Sequence, residues 1–139
     1  MTTAAKPFEG IQIVFPTDKQ EIFNRVVTHF AEQKHAAREH GSCKYRTRSG
    51  LSCAIGGPFI PDDLYREWMD TAINNTVDAW TRANVFVVAS DEIKAFLITM
   101  QQTHDNAEDV SELRRRLEII ADDHELDGSL IETITEWTY

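Results

Sequence analysis

No stretch of this sequence approaches the ~18 consecutive apolar residues that a membrane-spanning helix requires. The opening, M-T-T-A-A-K-P-F-E-G, has no apolar core of signal-peptide type, which predicts a protein that stays in the cytoplasm. Cysteine is scarce: there are two in the chain, and they do not form the C-x-x-C pair of a zinc site or a redox motif. Neither G-x-x-x-x-G-K-[ST] nor G-x-G-x-x-G occurs, so no glycine-rich phosphate cradle is encoded. The paired H-x-T/S motifs of cyclic-nucleotide phosphoesterases are missing as well. Each absence removes a route to chemistry, and together they leave a protein read as non-enzymatic, with no cofactor expected.

What is present suffices for one domain. A chain of 139 residues, 42% hydrophobic, can bury about two-thirds of its unfolded surface and needs no disulfide to fold. Residues 1–10 read as a flexible N-terminal tail and 11–139 as a single globular domain. The charge is divided unequally. Residues 1–69 carry nine Lys/Arg against eight Asp/Glu, and residues 70–139 carry five against fifteen, which accounts for the net charge of −9. The acidic half argues against direct nucleic-acid binding and fits either a like-charged solvated surface or docking onto a basic protein surface.

Helical periodicity dominates. Ile22, Phe23, Val26, Val27, Phe30 and Ala31 form one apolar stripe, predicting a helix over about 18–37 behind a Thr17–Gln20 capping box. Ile11–Phe15, stopped by Pro16, predicts a short edge strand or lead-in. Asn75 could cap a short helix carrying Val77 and Trp80, and 85–89 is apolar but of ambiguous type. Ser90 is an N-cap with Asp91 and Glu92 in the first turn, and Ile93, Phe96, Leu97, Met100 and His104 share a face. Val110, Leu113, Leu117, Ile120, Ala121 and His124 mark another helix, stopped at Gly128. Ser129–Glu132 offers a second capping box, with a terminal strand possible beyond it.

The stretch 41–65 stands apart, with both cysteines and most of the glycines. Ser42–Thr47 and Leu51–Ile55, joined by Arg48-Ser49-Gly50, predict an antiparallel hairpin whose third loop residue takes positive φ. Gly56-Gly57-Pro58 turns the corner, and Pro61 with Asp62 and Asp63 predicts a short helix to about Trp68. The fold class expected is α+β, mainly α-helical, with one small hairpin packed on the helices.

Candidate chemistry gathers on the same stretch. His40, Cys43 and Cys53 are potential metal ligands, with His35 or His104 as a fourth. A cysteine could pair with any of His29, His35, His40, His104 or His124, and the His104-Asp105 pair hints at an oriented base. The competing readings are a core thiol, and a histidine ending a helix with Asp105 capping the next segment. Tyr45, Arg46 and Arg48, with Lys44, suit a contact surface. Salt bridges explain Arg114-Arg115-Arg116, and Trp68, Trp80 and Trp137 each need a core or a partner to cover them.

The central stretch resembles the signature C-x-Y-R…G-L-x-C-A-[VI]-G…I-P-D-x-x-Y of a family of small uncharacterised proteins of tailed bacteriophages and bacterial genomes. It is carried here by Cys43, Tyr45, Arg46, Gly50, Leu51, Cys53, Ala54, Ile55, Gly56, Ile60, Pro61, Asp62 and Tyr65. Residues 96–105 are similar to the family's F-L-x-x-L-Q-x-x-H-D, with Met100 for the second leucine. The corner Gly57-Pro58-Phe59 and the segment 70–90 depart from the pattern. The resemblance implies a phage or prophage origin and a small α-rich fold with a hairpin, and transfers no catalytic residues.

The expected function is therefore a phage-encoded accessory protein that binds and modulates a host macromolecule, a host protein above all, in the bacterial cytoplasm. Its contact surfaces are expected at Tyr45, Arg46, Arg48 and Asp62 on the hairpin side, or at Asp105, Asp109, Asp122 and Asp123 on the acidic helices. The alternatives are a small-ligand protein that sequesters a nucleotide-like molecule or holds a metal near the hairpin, and an oligomer that covers its tryptophans between copies.

Overall fold

A computed structural model describes residues 10–39, 42–70 and 76–139. The expected tail up to residue 9, Asn75 as a cap, and His40 as a ligand lie outside the described residues. In chain order the elements are β1 (Ile13–Val14), α1 (Lys19–Gln33), β2 (Arg38–Glu39), β3 (Ser42–Cys43), α2 (Thr76–Arg82), β4 (Phe86–Val87), α3 (Asp91–Asn106) and α4 (Val110–Asp123), with 3-10 turns at Glu67–Asp70 and Ser129–Thr133. The class is mainly helical with small β elements, as the periodicity predicts.

Helix α1 buries Ile22, Phe23, Val26, Val27 and Phe30 along its stripe. Each such side chain contributes about 1.5–3 kcal/mol relative to exposure. Its cap is Asp18, whose carboxylate accepts from the Gln20 amide at 3.3 Å, in place of the predicted Thr17 box. Gln20 turns instead to the far end of the chain, donating to the Asp127 carbonyl at 3.0 Å and accepting from the Asp127 amide at 2.8 Å. The helix stops at Gln33, four residues short of the prediction. Lys34 enters the left-handed region at φ 67° and donates back to the Phe30 carbonyl.

The chain beyond α1 forms β2, which pairs antiparallel with β3 in the register Arg38↔Cys43 and Glu39↔Ser42. The expected hairpin is reduced to a tight turn. Arg46 and Ser52 form an isolated antiparallel bridge, Thr47 N–H donates to Leu51 O, and Gly50 takes φ 94°. The predicted helix from Pro61 is a run of turns ending in the 3-10 segment Glu67–Asp70. The ambiguous run at 85–89 is β4, paired parallel with β1 as Ile13↔Phe86 and Val14↔Val87.

Helix α3 is capped by the Ser90 hydroxyl, which accepts from Ile93 N–H, as read from sequence. Asp109, not Asp105, caps α4, accepting from Glu112 N–H at 2.8 Å. The Ser129 box does not form, since the 3-10 turn there has no side-chain cap bond. The terminal strand is limited to a single parallel bridge, His35↔Thr138. Trp137 is buried, and Trp68 and Trp80 are half-buried with rings meeting edge-on at 5.1 Å. The core runs continuously from Ile13 through α1, the ribbon and α3 to Trp137.

Candidate functional site

The ribbon 42–60 is tied to α1 by polar side chains. Ser52 and Gln33 exchange two hydrogen bonds, at 2.8 and 2.7 Å, and His29 Nε2–H donates to the Ser52 carbonyl at 2.7 Å. Burial lowers the His29 pKa below its ordinary value, and the bond to Ser52 only partly offsets it. Two glycines make the approach possible. A Cβ on Gly57 would lie 2.4 Å from the His29 ring, and one on Gly56 would lie 2.2 Å from the Tyr45 carbonyl oxygen.

That packing turns most of the hairpin's expected contact groups inward. Tyr45 is 2% exposed, its hydroxyl bonded to Thr76 and its ring 6.0 Å from Phe86, so it belongs to the core and leaves the proposed surface. Arg46 pairs with Asp62, donates to the Gly56 and Ile60 carbonyls, and stands over the Tyr65 ring at 5.3 Å. It fastens the ribbon to the following turn. Asp62 remains exposed at the outer end of that pair. Arg48 also projects into solvent, its guanidinium 3.9 Å from Glu39.

The cysteines are separated in role. Cys53 is fully buried, its sulfur accepts from Gly56 N–H at 3.2 Å, and desolvation pushes its thiol far above the ordinary range. Cys43 is half-buried and lies beside His104 and Asp105, three donors within 4.8 Å of one another. Sequence spacing points to His40 and Cys53 as companions of Cys43. Among the described residues the fold brings to Cys43 the last turn of α3: His104, which the sequence offers as a fourth ligand, and the carboxylate of Asp105, which it does not.

The protons decide what this cluster does. His104 is fully buried, and its Nε2 accepts from Ala37 N–H at 2.9 Å, so that nitrogen carries no proton. The neutral ring's one proton is then on Nδ1, donated to Asp105 Oδ1 at 2.8 Å. Asp105 Oδ1 also accepts from Gln101 Nε2 at 2.9 Å, and its carboxylate bonds the Cys43 thiol. Burial and this carboxylate push Cys43 up to about 12. A base poised to ionise Cys43 would need a free Nε2, and that lone pair is held by Ala37. A metal at Nδ1 would have to displace the proton from a ring whose other nitrogen already faces a backbone N–H. The geometry makes the cluster a brace between the ribbon and α3. His104 therefore does not serve as a terminal dipole charge, since its ring stacks on Phe30 at 6.1 Å and meets Trp137 at 5.8 Å.

A concavity of about 250 Å³ lies against the ribbon between Lys44, Arg46, Arg48, Tyr65 and Asp70, and two more lie elsewhere among the described residues. One, of about 370 Å³, lies between Asn24, Arg25, Thr28, His29 and Glu32 of α1 and the Gly57-Pro58 corner. The other, of about 420 Å³, is bordered by Lys19, Glu92, Phe96, Asp123, His124 and Glu125. The acidic candidates divide in the same way. Asp105 is consumed by the brace and Asp109 by the cap. Asp122 and Asp123 are exposed at the end of α4, with no ion-pair partner among the described residues. Arg116 pairs with Glu112 at 2.9 Å. No helix among the described residues is long and apolar enough to cross a membrane. Compared with protein-family models, curated proteins and solved structures, the chain matches none.

Proposed function

We propose that this protein is a non-enzymatic binding protein of phage or prophage type, which docks through the acidic end of α4 onto a basic surface of a host protein. The observation that carries this reading is the contrast in charge use. The ribbon's Arg46 is spent on internal bonds, whereas Glu118, Asp122, Asp123 and Glu125 are exposed with no ion-pair partner among the described residues. Unpaired carboxylates over one helix end attract a basic partner from a distance and are screened by salt. The raised thiols and the engaged His104 support a structural role for the ribbon. Capture from bacterial lysate tests the reading. A specific partner is expected at physiological salt, lost as salt is raised, and recovery of none would count against it.

A small-ligand reading is favoured by one observation, the concavity beside His29. Its volume falls in the range of small-molecule sites. A thermal-shift screen against nucleotides separates the two: a shift that His29→Gln abolishes supports a ligand there.

A further inference from the structure

The small parallel sheet has an uncharged outer side in a strongly acidic protein. Residues 10–17 and 83–90, which include β1 and β4, contain no charged residue in a chain of net charge −9. Their exposed side chains are Gln12, Val14, Thr17, Asn84, Val87, Ala89 and Ser90. Val14 is 73% and Val87 38% exposed, and the two are directly in register. Among the described residues the other exposed large apolar side chains are Ile119 on α4 and the terminal Tyr139, away from this sheet.

The edge of β1 is open too. Ile13 and Phe15 N–H donate to Val85 and Val87 carbonyls at 2.7 and 3.0 Å, so the Val14 peptide between them points away from β4. Among the described residues β4 is the only strand bonded to β1. Soluble proteins usually blunt such an edge with lysine or another charge, because an open strand templates further pairing. Here the charged guards are missing, and Pro16 with the two-residue length of β1 confines the open edge to the neighbourhood of Val14.

We infer that this edge is a self-association surface, with β1 of one copy pairing antiparallel to β1 of a second about a two-fold axis. The charge distribution selects the occupant. Two copies of net charge −9 repel over most of their surfaces, and an uncharged strip is where they can approach at low electrostatic cost. A two-fold contact makes Val14 meet its own equivalent, which suits an apolar residue and is hostile to any charge. The strip is smaller than the ~1,600 Å² of a standard interface, so the pair is weak and concentration-dependent.

Sedimentation velocity of the full chain over a wide concentration range tests this. A reversible dimer is expected that strengthens as salt is raised, because salt screens the repulsion between copies. This is opposite in sign to the salt dependence of capture by a basic partner, so the two proposals fail separately. Val14→Glu should weaken the dimer by about tenfold or more, with unchanged circular dichroism and melting temperature, and Ile119→Glu should leave it intact. A monomer at every concentration in high salt would overturn the inference. So would a dimer undiminished by Val14→Glu, or a monomer that pairs only with an extended segment of another protein.

Discussion

The ribbon at 42–60 and helix α4 at Val110–Asp123 use polar residues in opposite ways. On the ribbon, chemistry-bearing groups point inward: Tyr45 into the core, Arg46 onto two carbonyls, Cys43 onto Asp105. On α4 the apolar residues Leu113, Leu117, Ile120 and Ala121 point inward, and Asp122 and Asp123 stay in water. A polar residue in the first region holds the fold together, and one in the second is free to meet a partner. Substitutions of the ribbon's inward-pointing groups and of its brace should therefore cost stability, and those on the outer face of α4 should cost recognition alone.

The largest expected effect is at the brace. His104→Ala removes the acceptor of a buried N–H and opens a cavity beside Phe30 and Trp137, at a combined cost of about 3–5 kcal/mol in urea unfolding. His104→Phe refills the volume and should recover part of that loss, because Ala37 N–H still lacks its acceptor. Next is the corner: Gly57→Ala forces the His29 ring aside and should cost about 1–3 kcal/mol. A loss under about 0.5 kcal/mol at either site would break the comparison from the ribbon side.

Smaller effects sharpen it. Asp109→Ala removes the α4 cap and should cost about 1 kcal/mol. The pH dependence comes from His29, whose folded pKa lies below 6.5, so that the unfolded chain takes up the proton first. Its contribution is fully present above about pH 6.5 and is lost as pH falls through the lower folded value. His29→Gln should flatten that part of the stability profile. Cys43, at about 12, should react with a thiol reagent near pH 8 far more slowly in the native protein than in urea. Finally, Glu125 sits at φ 55° after α4, and Glu125→Gly should be neutral to stabilising by about 0.5–1 kcal/mol.

Local signals are legible in the sequence wherever one element decides them alone. The apolar stripes mark α1, α3 and α4, Ser90 caps as read, and Gly50 takes the positive φ that the turn demands. Signals fail where distant chain segments compete for the same group. Gln20 reads as a capping partner until Asp127 is brought beside it, and Tyr45 reads as a hot-spot side chain until Phe86 and Thr76 cover it. The Cys43–Asp105 contact spans the fold, so the sequence could offer His104 among several partners for Cys43 but not the Asp105 carboxylate. Hairpin length is overstated by the sequence for a related reason: Cys43 pairs backward with Arg38, in a segment whose composition continues the helix.

The central claim is that the outer end of α4 is the recognition surface and the ribbon is its support. Its most direct test is capture from bacterial lysate by two charge-reversed proteins side by side, Asp122→Lys with Asp123→Lys, and Arg48→Glu, each first shown to melt like the wild type. Loss of the partner in the first protein and retention in the second is the predicted result. Retention in the first with loss in the second would contradict it.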